Sequence, residues 1–139
     1  MAMTFAGITT IGAQTYQKQR YDYSWPTYLT FESLVIVDNA ATATYGTTQS
    51  PTTDAFVLLD FPLTIGKTWT VDRMFGATVM TNESVTVAGG TFNDCVQVRY
   101  LGGVTTVYYW YARNVGLVKG VSVISGSSPS TIELTSNNF

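Results

Sequence analysis

The 139-residue chain contains no histidine. That absence removes Ser-His-Asp and Cys-His catalysis, imidazole-ligated metal centres and imidazole pH switches. Charge is also scarce. Asp, Glu, Lys and Arg make up 12% of the residues, about half of the roughly 25% usual in soluble domains. Only 7 residues are basic and they are scattered, so no cationic surface for nucleic acid is expected. Cys95 is the single cysteine, which excludes an intramolecular disulfide and a paired-thiolate metal site. No window approaches the ~18 consecutive apolar residues of a membrane-crossing helix, and no long segment repeats apolar residues at helical spacing.

What is present is apolar, aromatic and uncharged-polar. Hydrophobic residues are 45% and aromatics 14%, with mean hydropathy +0.13. Disordered chains show the reverse combination, low hydrophobicity with high net charge; here the net charge is −2. The polar share is carried by Thr, Ser, Asn and Gln, which suit a half-exposed pleated surface. The length suits one domain, 1–139, which would bury about two-thirds of its unfolded surface.

Short β-rich runs are broken by Gly, Asn, Pro and Ser. Strands are predicted at 13–23, 28–37, 41–46, 54–60, 67–74, 77–87, 95–101, 104–112, 116–124 and 130–135. Residues 1–13 form a further extended strand or a tail. The fold class is therefore all-β, an antiparallel β-sandwich or open barrel with a C-terminal β-meander. Within the meander, Gly102-Gly103 is expected to supply two positive-φ positions of a tight hairpin turn. The return strand Val104–Ala112 is apolar or aromatic on both faces, as in a central strand or one with a face against a partner.

Three stretches carry a family resemblance: Phe61-Pro62-Leu63-Thr64-Ile65-Gly66-Lys67-Thr68-Trp69-Thr70, the run Val85–Val98, and Tyr109–Lys119. Together they resemble the β-domain of exported bacterial lipoproteins and cell-envelope proteins of unknown function, over roughly the last 80 residues by strand spacing. The resemblance implies an all-β fold and an extracytoplasmic location, and it carries no catalytic residue. The chain has neither a basic leader region, its first cation being Lys18, nor a lipid-anchoring cysteine near its start. An extracytoplasmic protein, secreted or of the cell envelope, is the expectation, with a cytoplasmic one as the alternative.

Candidate chemistry is weak throughout. Gly66-Lys67-Thr68 looks like the end of a phosphate loop, but the full pattern needs a glycine where Phe61 stands, and a turn is expected instead. Cys95 lacks a histidine partner and is expected to be buried and inert. The 9 carboxylates are dispersed and contain no calcium-loop pattern. The aromatics are more informative. Tyr21, Tyr23 and Trp25 fall at period two and share a strand face, as do Tyr109 and Tyr111, and as do Tyr108 and Trp110. Such faces either fill a core or stack on sugars and anchor partners. Tyr21, Tyr23, Trp25, Tyr109 and Tyr111 are taken as the candidate contact surface.

The expected function is a non-enzymatic structural or interaction domain whose partner is protein, including further copies of itself. Residues 1–13, with Phe5, Ile8 and Ile11, would add as a strand to a neighbouring subunit. The alternative is a module binding carbohydrate or an apolar ligand. No cofactor and no metal are expected.

Overall fold

A computed structural model describes the backbone of residues 2–11, 14–23, 29–37, 41–47, 56–71, 73–113 and 115–135. Side chains are described over 57–71, 73–113 and 115–135, together with Gly7 and Thr10. The fold is all-β and antiparallel, with no helix among the described residues. The chain forms two compact units, Met1–Pro62 and Leu63–Phe139.

The first unit is a meander of β1 (Ala2–Ile11), β2 (Gln14–Tyr23), β3 (Leu29–Val37), β4 (Ala41–Thr47) and β5 (Phe56–Asp60). Each strand pairs with the next in sequence. A bulge interrupts β1 between Phe5 and Ile8, beside Gly7 with its φ of 99°.

The second unit holds β6 (Thr68–Thr70), β7 (Gly76–Val87), β8 (Gly90–Gly102), β9 (Thr105–Ala112), β10 (Gly116–Ile124) and β11 (Ser130–Leu134). These six strands also pair in chain order as one antiparallel sheet. Their sequences alternate as a half-buried sheet requires. Ala77 and Val79 are buried around Thr78, and Ile132 and Leu134 are buried around Glu133.

The sheet coils. β7 and β10 lie three places apart in it yet approach each other. The Gly89 N–H in the β7–β8 turn donates to the Leu134 carbonyl of β11 at 2.8 Å. A bulge at Val118, between Leu117 and Lys119 of β10, adds local twist. Val118 itself is fully buried, as are Val79, Val98 and Cys95. Each valine so enclosed contributes roughly 1.5–3 kcal/mol of apolar burial.

Three boundaries differ from the sequence reading. β8 begins at Gly90 rather than near 95, so the β7–β8 loop is only Ala88-Gly89. Asn93-Asp94 forms a bulge inside this strand. Glu83 pairs with Cys95 and Val85 with Phe92, while Asp94 takes the extra position at φ 57°. Aspartate tolerates that left-handed conformation better than most residues.

The β8–β9 turn is Gly103-Val104, one residue later than expected, and only Gly103 has positive φ. Gly102 is a paired strand residue whose glycine identity answers a close approach. A Cβ there would stand 2.6 Å from the Met74 carbonyl oxygen and 2.7 Å from the Phe75 ring. The strand expected over 67–74 shortens to Thr68–Thr70.

Candidate functional site

The chemical candidates resolve into structural roles. Lys67 N–H donates to the Thr64 carbonyl at 3.0 Å, and Gly66 has φ 89°. Gly66-Lys67-Thr68 is thus a turn leading into β6, with no helix following it to receive a phosphate. Cys95 is fully enclosed, and its Sγ donates to the Phe92 carbonyl at 3.3 Å. Burial pushes the thiol pKa up; a backbone hydrogen bond with Val85 opposes this, and the charges of Glu83 and Asp94 add to it. A thiol so placed forms little thiolate. Cys95 is therefore expected to react with an aromatic disulfide reagent only as fast as the chain opens. Absorbance of the released thiolate, with and without denaturant, checks this, and rapid labelling of the native protein would contradict it. Among the described residues, no group of three or more Cys, Asp or Glu could hold a metal ion.

The aromatic strand β9 separates its side chains onto two faces. On one face Tyr109 stands opposite Val98 and Gly120, and Tyr111 opposite Val96 and Leu117. Tyr111 is buried and Tyr109 half-buried. The Tyr100 and Tyr109 rings lie 5.4 Å apart, and Tyr109 meets Tyr111 edge-on at 6.1 Å. The Tyr100 and Tyr111 hydroxyls share a buried hydrogen bond of 3.0 Å. This face packs inward, which places Tyr109 and Tyr111 among core residues such as Val79, Val98 and Ile132.

The opposite face is mixed aromatic and polar. Trp110 stands between Gln97 and Lys119, and Tyr108 between Arg99 and Val121. Further out, Thr78 lies opposite Arg99 on β7, and Glu133 lies opposite Lys119 on β11. Trp110 is held from two directions. Its Nε1–H donates to Glu83 Oε1 at 2.6 Å, and Lys119 Nζ sits 5.6 Å from the ring centre. Tyr108 packs beside it, with centroids 6.4 Å apart and planes tilted by 39°. Arg99 is half-buried, and its Nε is enclosed without a hydrogen-bond acceptor.

A third feature is the end of the sheet around the β8–β9 turn. Among the described residues five large apolar side chains are exposed, and four of them, Met74 (73% exposed), Leu101 (50%), Val104 (69%) and Ile124 (47%), lie around this turn, Leu101 on the opposite sheet face from Ile124. The Met74 carbonyl abuts Gly102, Gly102 pairs with Thr105, and Thr105 pairs with Ile124. The Ser125 N–H donates to the Val104 carbonyl at 3.0 Å. The remaining one, Ile65, sits in the turn before β6.

The other sequence candidates lie in the first unit. Tyr21 pairs with Met3 and Phe31, and Tyr23 with Leu29. Trp25 lies outside the described residues. Phe5, Ile8 and Ile11 lie in β1, opposite Gln19, Gln17 and Gln14 of β2 in the same chain. Comparison with protein-family models, with curated proteins and with solved structures found no match.

Proposed function

We propose that this chain is a non-enzymatic, extracytoplasmic interaction domain that associates with further copies of itself through the apolar end of its second unit. The observation that carries this reading is the placing of Met74, Val104, Ile124 and, on the opposite sheet face, Leu101 around one turn, all about half exposed or more. Isolated exposed apolar residues need no explanation, but a contiguous group of large ones marks a contact surface. The group is carried on turns and strand ends, where it can meet a matching copy across a two-fold axis. Gly, Ser and Thr residues separate these side chains, with Arg73 next to Met74 and Arg99 two residues from Leu101 in the chain, and a self-complementary apolar contact needs no steering charge. β1 is already paired along β2, which leaves this end, rather than strand addition by Phe5, Ile8 and Ile11, as the route to self-association. Of the two expected architectures, the coiled sheet of the second unit favours the open barrel over stacked layers. The extracytoplasmic assignment rests on the resemblance to exported bacterial β-domains.

Sedimentation velocity of the full chain across a concentration series tests the proposal. Association is expected, and the triple variant Leu101→Ser, Val104→Asp, Ile124→Thr is expected to be monomeric with an unchanged circular dichroism spectrum. A wild-type chain that stays monomeric at the highest concentration would refute the reading. So would a triple variant that associates as the wild type does.

A further inference from the structure

The mixed face of β8, β9 and β10 meets the apolar end at Leu101, which pairs with Thr106, and its arrangement points to a ligand of its own. Two rows cross the sheet. One runs Gln97, Trp110, Lys119 and Glu133, and the next runs Thr78, Arg99, Tyr108, Val121 and Thr131. The first row balances its charges, because Lys119 faces Glu133 directly and Trp110 takes Glu83 as its hydrogen-bond acceptor. The second row contains one cation, Arg99, and no carboxylate. Its neighbours across the sheet are Thr78 and Tyr108.

Arg99 is also the one buried side-chain polar atom left without a partner among the described residues, at its Nε. The enclosed Nε is out of reach of any ligand, so the guanidinium would meet an anion through its two terminal nitrogens. The guanidinium is a rigid fork suited to a carboxylate. Beside it stands Tyr108, and beyond that Trp110, whose orientation is already fixed by Glu83 and Lys119. Ring faces of this kind stack on flat, weakly polar surfaces. Gln97, Thr78 and Thr106 add neutral hydrogen-bonding groups on the same face.

We infer that this face binds an anionic saccharide, with the carboxylate of a uronic acid residue on Arg99 and a sugar ring against Tyr108 and Trp110. A uronic acid unites the features the site asks for: one carboxylate, an apolar C–H face and several hydroxyls. An acidic peptide would satisfy Arg99 but would leave the aromatic pair without a flat partner.

Titration of the full chain with oligogalacturonate, followed by tryptophan fluorescence and calorimetry, tests the inference. A neutral oligosaccharide of equal length, inorganic phosphate and an oligoglutamate peptide serve as comparison probes. The acidic oligosaccharide is expected to bind most tightly, and to weaken as salt rises. Arg99→Gln and Tyr108→Ala are each expected to weaken binding about tenfold or more, as loss of a charge-assisted or stacking contact implies. Arg99→Lys keeps the charge without the fork and is expected to fall between wild type and Arg99→Gln, which separates binding from any effect on folding. Absence of binding, or binding indifferent to both Arg99→Gln and Tyr108→Ala, would overturn the inference. Equal affinity for phosphate or oligoglutamate would overturn the saccharide assignment and leave a plain anion site. None of the varied residues is one of the four apolar-end residues, so failure of binding in these variants is distinguishable from failure of self-association, which sedimentation velocity reads separately.

Discussion

Gly120→Ala is expected to destabilise the second unit by about 3 kcal/mol, the upper part of the usual range for overpacking a core. Gly120 is buried on β10, directly opposite Tyr109 on one side and Ile132 on the other. A Cβ at this position would stand 2.7 Å from Ile132 Cγ1 and 2.7 Å from Tyr109 Cε1. Neither neighbour can yield easily. The Tyr109 ring is wedged between the Tyr100 and Tyr111 rings, and Ile132 is itself buried. Relief would require β10 to lift away from the two strands it bridges. Against a total stability of about 5–15 kcal/mol, the loss is large. Urea unfolding of the full chain measures it through the shift in midpoint, and a change within about 0.5 kcal/mol, the range of a neutral surface substitution, would contradict the packing described. Gly120→Val should be worse, since it adds two further methyl groups to the same gap.

Gly120 also shows how much of this fold was legible in the sequence. Apolar alternation located the strands of both units to within a few residues, because a period of two is a local property. The stretches Gly116–Ile124 and Thr105–Ala112 read as strands from their own composition. Gly120 inside the first of them could not be recognised as the space filled by Tyr109, because that depends on which residues face each other. Register is hidden in the sequence for a related reason. A loop at Gly102-Gly103 would pair Leu101 with Val104 and set Arg99 opposite Thr106. The actual loop, Gly103-Val104, sets Arg99 opposite Tyr108. In sequence Gly102 reads as a turn residue, since glycine is the usual source of positive φ. Its actual role, admitting the Met74 carbonyl and the Phe75 ring, comes from a segment more than twenty-five residues away in the chain.

The candidate surfaces were half visible for the same physical reason. Alternation shows that Tyr108 and Trp110 share one face and that Tyr109 and Tyr111 share the other. It does not show which face turns inward, because both carry aromatics. The decision is made by the neighbours. Val79, Val98, Gly120 and Ile132 lie beside Tyr109 and Tyr111, while Gln97, Arg99, Lys119 and Glu133 lie beside Tyr108 and Trp110. The few charges of this chain therefore identify a face once strands are paired, although in sequence they look dispersed. The apolar end was hidden differently. Met74, Leu101, Val104 and Ile124 come from separate segments, and only the turns bring them together.

Above pH 10 the folded state is expected to lose stability steeply, and Tyr100 is the group responsible. Burial pushes its pKa far above the usual tyrosine value; the hydrogen bond with Tyr111 opposes the shift and the neighbouring Tyr109 reinforces it. Tyr100 is only 4% exposed, so an ionised phenolate there would be deprived of water. The direction follows from proton counts. Below the unfolded-state pKa of about 10 both states hold the phenolic proton, and stability is unaffected by pH through this group. As pH rises past that value the unfolded chain releases the proton while the folded chain retains it. Stability then falls by about 1.4 kcal/mol for each pH unit, or close to 3 kcal/mol by pH 12. Tyr100→Phe removes the titrating group and should flatten that slope by nearly one proton, even though it also forfeits the 3.0 Å bond to Tyr111. Urea midpoints between pH 8 and pH 12 for wild type and Tyr100→Phe separate the two effects. The lost hydrogen bond offsets the curves by roughly 1 kcal/mol at pH 8, whereas the lost proton changes their slope above pH 10. Parallel slopes in the two proteins would show that Tyr100 ionises as freely in the folded state as in the unfolded one. The inward packing of Tyr100, Tyr109 and Tyr111 would then be wrong, and with it the assignment of the other face to ligand.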